Sequence, residues 1–193
     1  MAKTSRKRLC ALGAGKAGIK VIITHNHSRV NMTRDILGHE WTYDCMGCAI
    51  ADGSMQVPGG FIKQTEHFCV HQDPLIPLPG FLVIGARRHI RSLVEMTQAE
   101  YKEFAALLWE TDKVIRAATG VGYLTLVQEE HSIHFHLWFF PWTAEIIARY
   151  GPPALDKIRA IMADTRQQTI SQDEWVELTA SIEKIKAKLR NIS

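Results

Sequence analysis

Apolar and polar positions alternate from Ser132 to Phe140. Successive side chains of a strand point to opposite faces. A strand here therefore places His134, His136 and Trp138 on one face and Ile133, Phe135, Leu137 and Phe139 on the other. Ser132 joins the histidine face if the strand extends back to it. The period changes upstream. Tyr101, Phe104, Leu107, Leu108, Thr111, Val114 and Ile115 recur at helical spacing, after a capping box of Thr97 and Glu100 and before a stop at Gly120. Phe68–His71, Phe81–Ile84 and Tyr123–Val127 read as further strands, with short candidates at Met55–Val57 and Phe61–Lys63. Asp52-Gly53, Pro58-Gly59-Gly60 and Pro79-Gly80 are turn signals. Strands, one long helix and more strands predict an α+β domain whose helix covers one face of an antiparallel sheet. Beyond it, 144–150, 153–163 and a segment opened by Ser171 and Glu174 read as helices. In the last, Trp175, Leu178, Ile182, Ile185 and Leu189 form a seam that can pack on the domain or on a second copy.

Composition divides the chain. Residues 1–34 carry eight Lys or Arg and no acid; the rest carries fifteen bases against twenty acids, a net of −5. The body is mildly acidic, which argues against a nucleic-acid binder working through a broad basic face. Residues 1–40 lack sustained periodicity and are expected to be a basic arm, with Met32 an alternative start. Residues 41–142 would form the principal domain and 143–193 a helical extension. Gly13, Gly15 and Gly18 match a dinucleotide-binding fingerprint, but no strand precedes them, so its context fails. No segment reaches the apolar length of a membrane span. Four cysteines and no secretory leader make a reducing cytoplasm the expected location.

Candidate chemistry concentrates in a few side chains. Cys45 and Cys48 form a Cys-x-x-Cys pair, and His89 and His134 complete a set of two thiolates and two imidazoles, a common tetrahedral zinc set. The spacing is too wide for a small zinc finger, so an ion would clip distant segments together. The pair alone also fits a redox motif or two buried thiols. Of two neighbouring imidazoles, one can hold a metal while the other attacks an electrophile.

Together, His134-x-His136-x-Trp138, the segment PGFLVIGARRHI and Cys45-x-x-Cys48 resemble the histidine triad superfamily of nucleotide hydrolases and transferases over about residues 44–142. The resemblance implies an antiparallel sheet of about five strands with one long covering helix. It also implies a zinc ion on Cys45, Cys48, His89 and His134, and attack by His136 on the α-phosphorus of a nucleotide through a nucleotidyl-histidine. A backbone carbonyl near His134 would select the His136 tautomer. The family's third histidine is Trp138 here, and Phe140-Pro141-Trp142 matches the closing tripeptide without its arginine. Indole cannot act as acid or base near neutrality. His131 is the substitute candidate, or an exposed loop histidine, and Ser132 a candidate phosphate donor. The strand and loop before Pro79-Gly80 would carry base and ribose, which points to Phe68, Val70, Gln72 and Asp73, although Asp73 before Pro74 also suits a turn. His67 and His71 read as surface or pocket residues. Arg87, Arg88 and Arg91 read as a phosphate approach or a solvated face. The implied function is hydrolysis of a nucleoside phosphoramidate, dinucleoside polyphosphate or related ester by a homodimer. The alternatives are a nucleotidyltransferase of the uridylyltransferase kind and a weakly active nucleotide-binding scaffold.

Overall fold

The long helix forms where its caps place it. In the computed structural model, which describes residues 31–166 and 170–190, α2 spans Gln98–Thr119. Thr97 Oγ1 accepts from the Glu100 N–H at 3.2 Å, and the Glu100 carboxylate accepts from the Thr97 N–H at 2.6 Å. Gly120 ends the helix at φ 74°, a left-handed conformation that glycine adopts without a steric penalty.

Helix α2 covers an antiparallel sheet of five strands in the order β3(Lys63–Gln64)-β4(Phe68–Gln72)-β5(Leu82–Ala86)-β7(His136–Trp142)-β6(Tyr123–Gln128). Phe68, Val70, Leu82, Ile84, Leu137 and Phe139 face α2 and bury against Phe104, Leu107, Val114 and Ile115. The neighbouring side chains on each strand face the other way. The registers Val83↔Trp138 and Gly85↔His136 on β5 and β7, and His71↔Val83 on β4 and β5, put these five residues on one opposite face.

That second face is covered in part. The alternation His136, Trp138, Phe140, Trp142 runs along it, and its far end is roofed by α3 (Ala144–Tyr150) and α4 (Leu155–Arg166). Phe81, Phe140 and Trp142 pack there with Ile146, Ile158, Ile161 and Met162. Toward the near end lie the hairpin of β1 (Asn31–Arg34) and β2 (Glu40–Tyr43) and the short α1 (Met46–Ala51). Between these coverings the sheet stays open over His71, Gly85, His136 and Trp138.

The C-terminal seam is spent within the chain. In α5 (Gln172–Arg190), Ile185 and Leu189 join the core beneath the sheet, while Leu178 and Ile182 pack with Ile36, Ile62 and Trp175. Two expected short strands differ. Met55 and Val57 are buried beside Ala49 and Ile50 in a loop tied by the Met55 N–H to the Ala49 carbonyl, and of Phe61–Lys63 only Lys63 lies in a strand, although the Ile62 N–H already donates to the Val70 carbonyl. The Gly13–Gly18 run and most of the basic arm lie outside the described residues.

The strand of the histidines starts later than alternation predicts. Residues 130–132 form a 3-10 turn, Ile133 adopts φ 61°, and β7 begins at His136. A β-branched residue in the left-handed region is rare and strained. The turn takes Ile133 out of the core, to 46% exposure, while Phe135 keeps its expected buried place.

Candidate metal centre and cleft

Three segments bring four donors together at one end of the open face. Cys45 precedes α1, Cys48 lies in its first turn, His89 follows β5 and His134 precedes β7. One donor atom from each lies within 4.8 Å of every other. The closest pairs are Cys48 Sγ to His89 Nδ1 at 3.2 Å, Cys45 Sγ to His134 Nδ1 at 3.3 Å and Cys48 Sγ to His134 Nδ1 at 3.5 Å. A tetrahedral ion bonded at ~2.3 Å to sulfur and ~2.0 Å to nitrogen holds S and N about 3.5 Å apart. The four side chains fit such an ion, and a shell of four protein ligands is closed, as in a structural site.

The surroundings orient these donors. His134 is 4% exposed, presents Nδ1 to the thiols and donates from Nε2 to the Ala86 carbonyl at 2.8 Å. That second bond selects the ligating tautomer. Gly47 makes the approach possible, since a Cβ there would lie 2.3 Å from His134 Cδ2. Burial raises the Cys45 thiol, but its bonds with His134 and with the Cys48 N–H outweigh burial and bring it to about 6. Cys48 is pushed up to about 11, first by burial and then by the adjacent Cys45. Burial lowers His134, and its bonds to Cys45 and Ala86 more than compensate, leaving it above its ordinary value.

Two residues on, the second histidine uses its nitrogens in the opposite sense. His136 Nδ1 donates to the His134 carbonyl at 3.0 Å, which leaves Nε2 with its lone pair. Burial pushes the imidazole below its ordinary range, and the bond to that carbonyl only partly opposes this. His136 is thus a neutral imidazole at neutral pH. It lines a cleft of about 390 Å³. Its strand partner Gly85 adds no side chain to the floor beside it. Trp138 flanks it with ring centroids 5.1 Å apart and meets Phe81 edge-on at 6.1 Å.

The other site candidates divide. Ser132 Oγ lies 3.3 Å from His136 Nδ1 and donates to the carbonyls of Glu129 or His134, so it supports the imidazole. His131 is exposed beside Glu129 and outside the cleft lining, though its charge is felt at His136. Asp73 lines the cleft, but its carboxylate accepts from the N–H groups of Leu75 and Ile76, the turn role. Burial raises it to about 6. Phe68, Val70 and Gln72 do not line the cleft. The first two lie under α2, and Gln72 Nε2 donates to the carbonyls of Ile76 and Leu78. The intervening Cys69 and His71 line it instead. His71 donates from Nδ1 to the Gln72 carbonyl at 2.8 Å, and burial lowers it to about 4. Arg87 bonds the carbonyls of Thr65 and Glu66, Arg88 pairs with Glu100, and neither lines the cleft.

Comparison with protein-family models and with curated proteins gives no match. Comparison with solved structures does. A histidine triad nucleotide-binding protein of Sulfolobus tokodaii superposes with a TM-score of 0.55 at 16% identity, covering 76% of this chain and 94% of its own. A zinc-bound histidine triad family protein of Mycobacterium smegmatis gives 0.52 at 15%, covering 77% and 94%. A protein of Bartonella henselae described as Hit-like and involved in cell-cycle regulation gives 0.51 at 14%, covering 74% and 95%. The chain has the histidine triad fold.

Proposed function

We propose that this chain is a zinc-containing nucleotide hydrolase in which His136 attacks the α-phosphorus of a nucleoside phosphoramidate, dinucleoside polyphosphate or related ester. The observation that carries the reading is the tautomer of His136. Its Nδ1 proton is committed to the His134 carbonyl, and its Nε2 lone pair belongs to a neutral ring lining a cleft. Attack would form an Nε2–P bond as the bond from phosphorus to the leaving group breaks. Water would then cleave the nucleotidyl-histidine and return the imidazole, with the nucleoside monophosphate as product. Zinc on Cys45, Cys48, His89 and His134 would bind the segments before α1, after β5 and before β7 into one unit, with no position left for substrate.

Trp138 supports a second reading, a nucleotide-binding protein with weak turnover. Its indole N–H can donate to a leaving group but cannot transfer a proton near neutrality. A two-fold dimer is part of the proposal. It rests on the exposed Tyr101 and Trp109 of α2 and on the edge strand β6 with exposed Tyr123 and Leu126. The deciding experiment is intact-mass analysis of the zinc-loaded protein after brief exposure to a nucleotide panel, with product analysis alongside. A mass increase of one nucleotidyl group that is absent from His136→Asn is the expected result. Turnover by His136→Asn at the wild-type rate would refute the nucleophile. Products without any adduct, formed only by the wild type, would point to a short-lived intermediate, to be trapped by rapid quench in alkaline denaturant, where the P–N bond survives.

A further inference from the structure

We infer that Arg166, at the end of α4, supplies the fixed positive charge that holds the phosphate oxygens of the substrate in the cleft. The inference rests on the nucleotide reading proposed above and deepens it. A phosphoryl group under attack carries negative charge on its non-bridging oxygens, which the site must meet. Beyond His136 along its face of β7, Trp138, Phe140 and Trp142 supply no positive charge. Among the described residues lining the cleft, Arg166 is the one lysine or arginine.

The fold explains how a residue so far along the chain arrives there. Ile158, Ile161 and Met162 bury against Phe81, Phe140 and Trp142, which sit on the same sheet face as His136 and Trp138. Docked in this way, α4 runs its last turn to the edge of the open face. Arg166 lines the cleft together with Asp73 of the β4–β5 loop and with Asn31, Thr33 and Tyr43 of the N-terminal hairpin. Its side chain is exposed and has no hydrogen-bond or ion-pair partner among the described residues. The other basic residues near the metal centre are spent elsewhere, Arg87 on two carbonyls and Arg88 on Glu100. A guanidinium is well suited to phosphate because its donors form a planar fork that pairs with two oxygens. The competing structural role is stabilisation of the negative C-terminal end of α4. That role predicts a small change in melting temperature and none in substrate handling.

The test uses the full-length, zinc-loaded protein and the variants Arg166→Met and Arg166→Lys. Hydrolysis is measured on adenosine 5′-phosphoramidate and on diadenosine tetraphosphate, with calorimetric binding of adenosine 5′-monophosphate at low and high salt. Arg166→Met is expected to lose about tenfold or more in kcat/KM on at least one substrate, the size of a charge-assisted hydrogen bond, with Arg166→Lys partly restored. An equal loss on both substrates places the contact on the attacked phosphoryl group. A loss confined to the tetraphosphate places it on the leaving chain. Either supports the inference. Values for Arg166→Met within about twofold of wild type on both substrates, while His136→Asn is inactive, overturn it. If no variant or wild type turns over, the hydrolase reading fails and the monophosphate decides. Salt-sensitive binding weakened about tenfold by Arg166→Met sustains the phosphate contact, and unchanged or absent binding ends it.

Discussion

Gly47→Ala should weaken metal binding by this protein about tenfold to hundredfold, although alanine is the better helix former. Glycine in a helix costs about 1 kcal/mol relative to alanine, so an unobstructed site would gain up to that much. Position 47 is obstructed. The new methyl would stand 2.3 Å from His134 Cδ2, 2.4 Å from Cγ and 2.8 Å from Nδ1. Carbon atoms rest about 3.5–4.0 Å apart, so the ring must retreat by roughly 1 Å. Nothing around it yields easily. His134 is 4% exposed, its Nε2 is 2.8 Å from the Ala86 carbonyl and its Nδ1 faces both thiols. Metal–ligand distances tolerate only about 0.2 Å. Losing the bond to Ala86 costs about 1 kcal/mol. A tenfold to hundredfold loss of metal affinity, typical when such a supporting bond goes, adds ~1.4–2.8 kcal/mol in excess metal. Set against the helix gain, the net is about 2 kcal/mol of destabilisation, or roughly 4–8 °C in Tm for a chain of this size. Zinc content by elemental analysis and affinity by chelator competition give the direct readout. Gly122→Ala is the control, since a methyl there meets nothing within 4 Å. A Gly47→Ala protein that binds zinc with wild-type affinity and melts at or above the wild-type temperature would refute the reasoning.

His134→Asn should lose zinc and stability together, whereas His136→Asn should keep both and lose nucleotidyl labelling; metal content and melting curves separate them. Trp138→His sets a titratable ring beside His136, so the pH–rate profile should gain an ionisation near the ordinary histidine value of about 6.5; an unchanged profile would count against a leaving-group position. Glu100 is held down to about 2, first by Arg88 and then by the Thr97 N–H. Its folded pKa lies below the unfolded value of 4.5, so its contribution is complete above 4.5 and drains away as pH falls toward 2. Glu100→Gln should therefore be less stable than wild type at pH 7 in urea unfolding, and the gap should close on acidification; a gap that widens in acid would contradict the assignment. Ile185→Ala, fully buried in the core beneath the sheet, should cost about 2–5 kcal/mol. A cost under about 1 kcal/mol would mean that α5 is not part of that core.

What the sequence discloses and what it hides follow from how local each cause is. The long helix is legible because its signals sit in consecutive turns, from Thr97 and Glu100 to Gly120. The four metal donors are legible because thiols and imidazoles have few other roles in such a pattern, and the structure brings them together. The faces of β4 are not legible. All five of its residues are buried, so no exposed partner marks the parity, and Cys69 and His71 take the cleft face expected for Phe68, Val70 and Gln72. Ile133 is hidden for a different reason, since alternation continues through it while the backbone turns left-handed. Arg166 and the Asn31–Tyr43 hairpin reach the cleft only through packing of α4 and of β1 on β2, contacts that no local pattern encodes. Gly47 did carry a signal, a glycine between the paired cysteines, but its meaning depends on a histidine 87 positions away.

The opposite use of the two ring nitrogens has a consequence for enzymology. The carbonyl that fixes the His136 tautomer belongs to His134, the residue that also faces the thiols. A shift of that residue on demetallation would move the acceptor, release the Nδ1 proton and let the imidazole rotate or flip tautomer. Chelation would then abolish activity, and added metal would restore it, although no reacting atom ever meets the ion. Metal-dependence assays alone would classify such a protein as a metallohydrolase. Exchange of the ion for cobalt or cadmium would expose the error, because the rate constants would follow the fit of the scaffold and not the Lewis acidity of the metal.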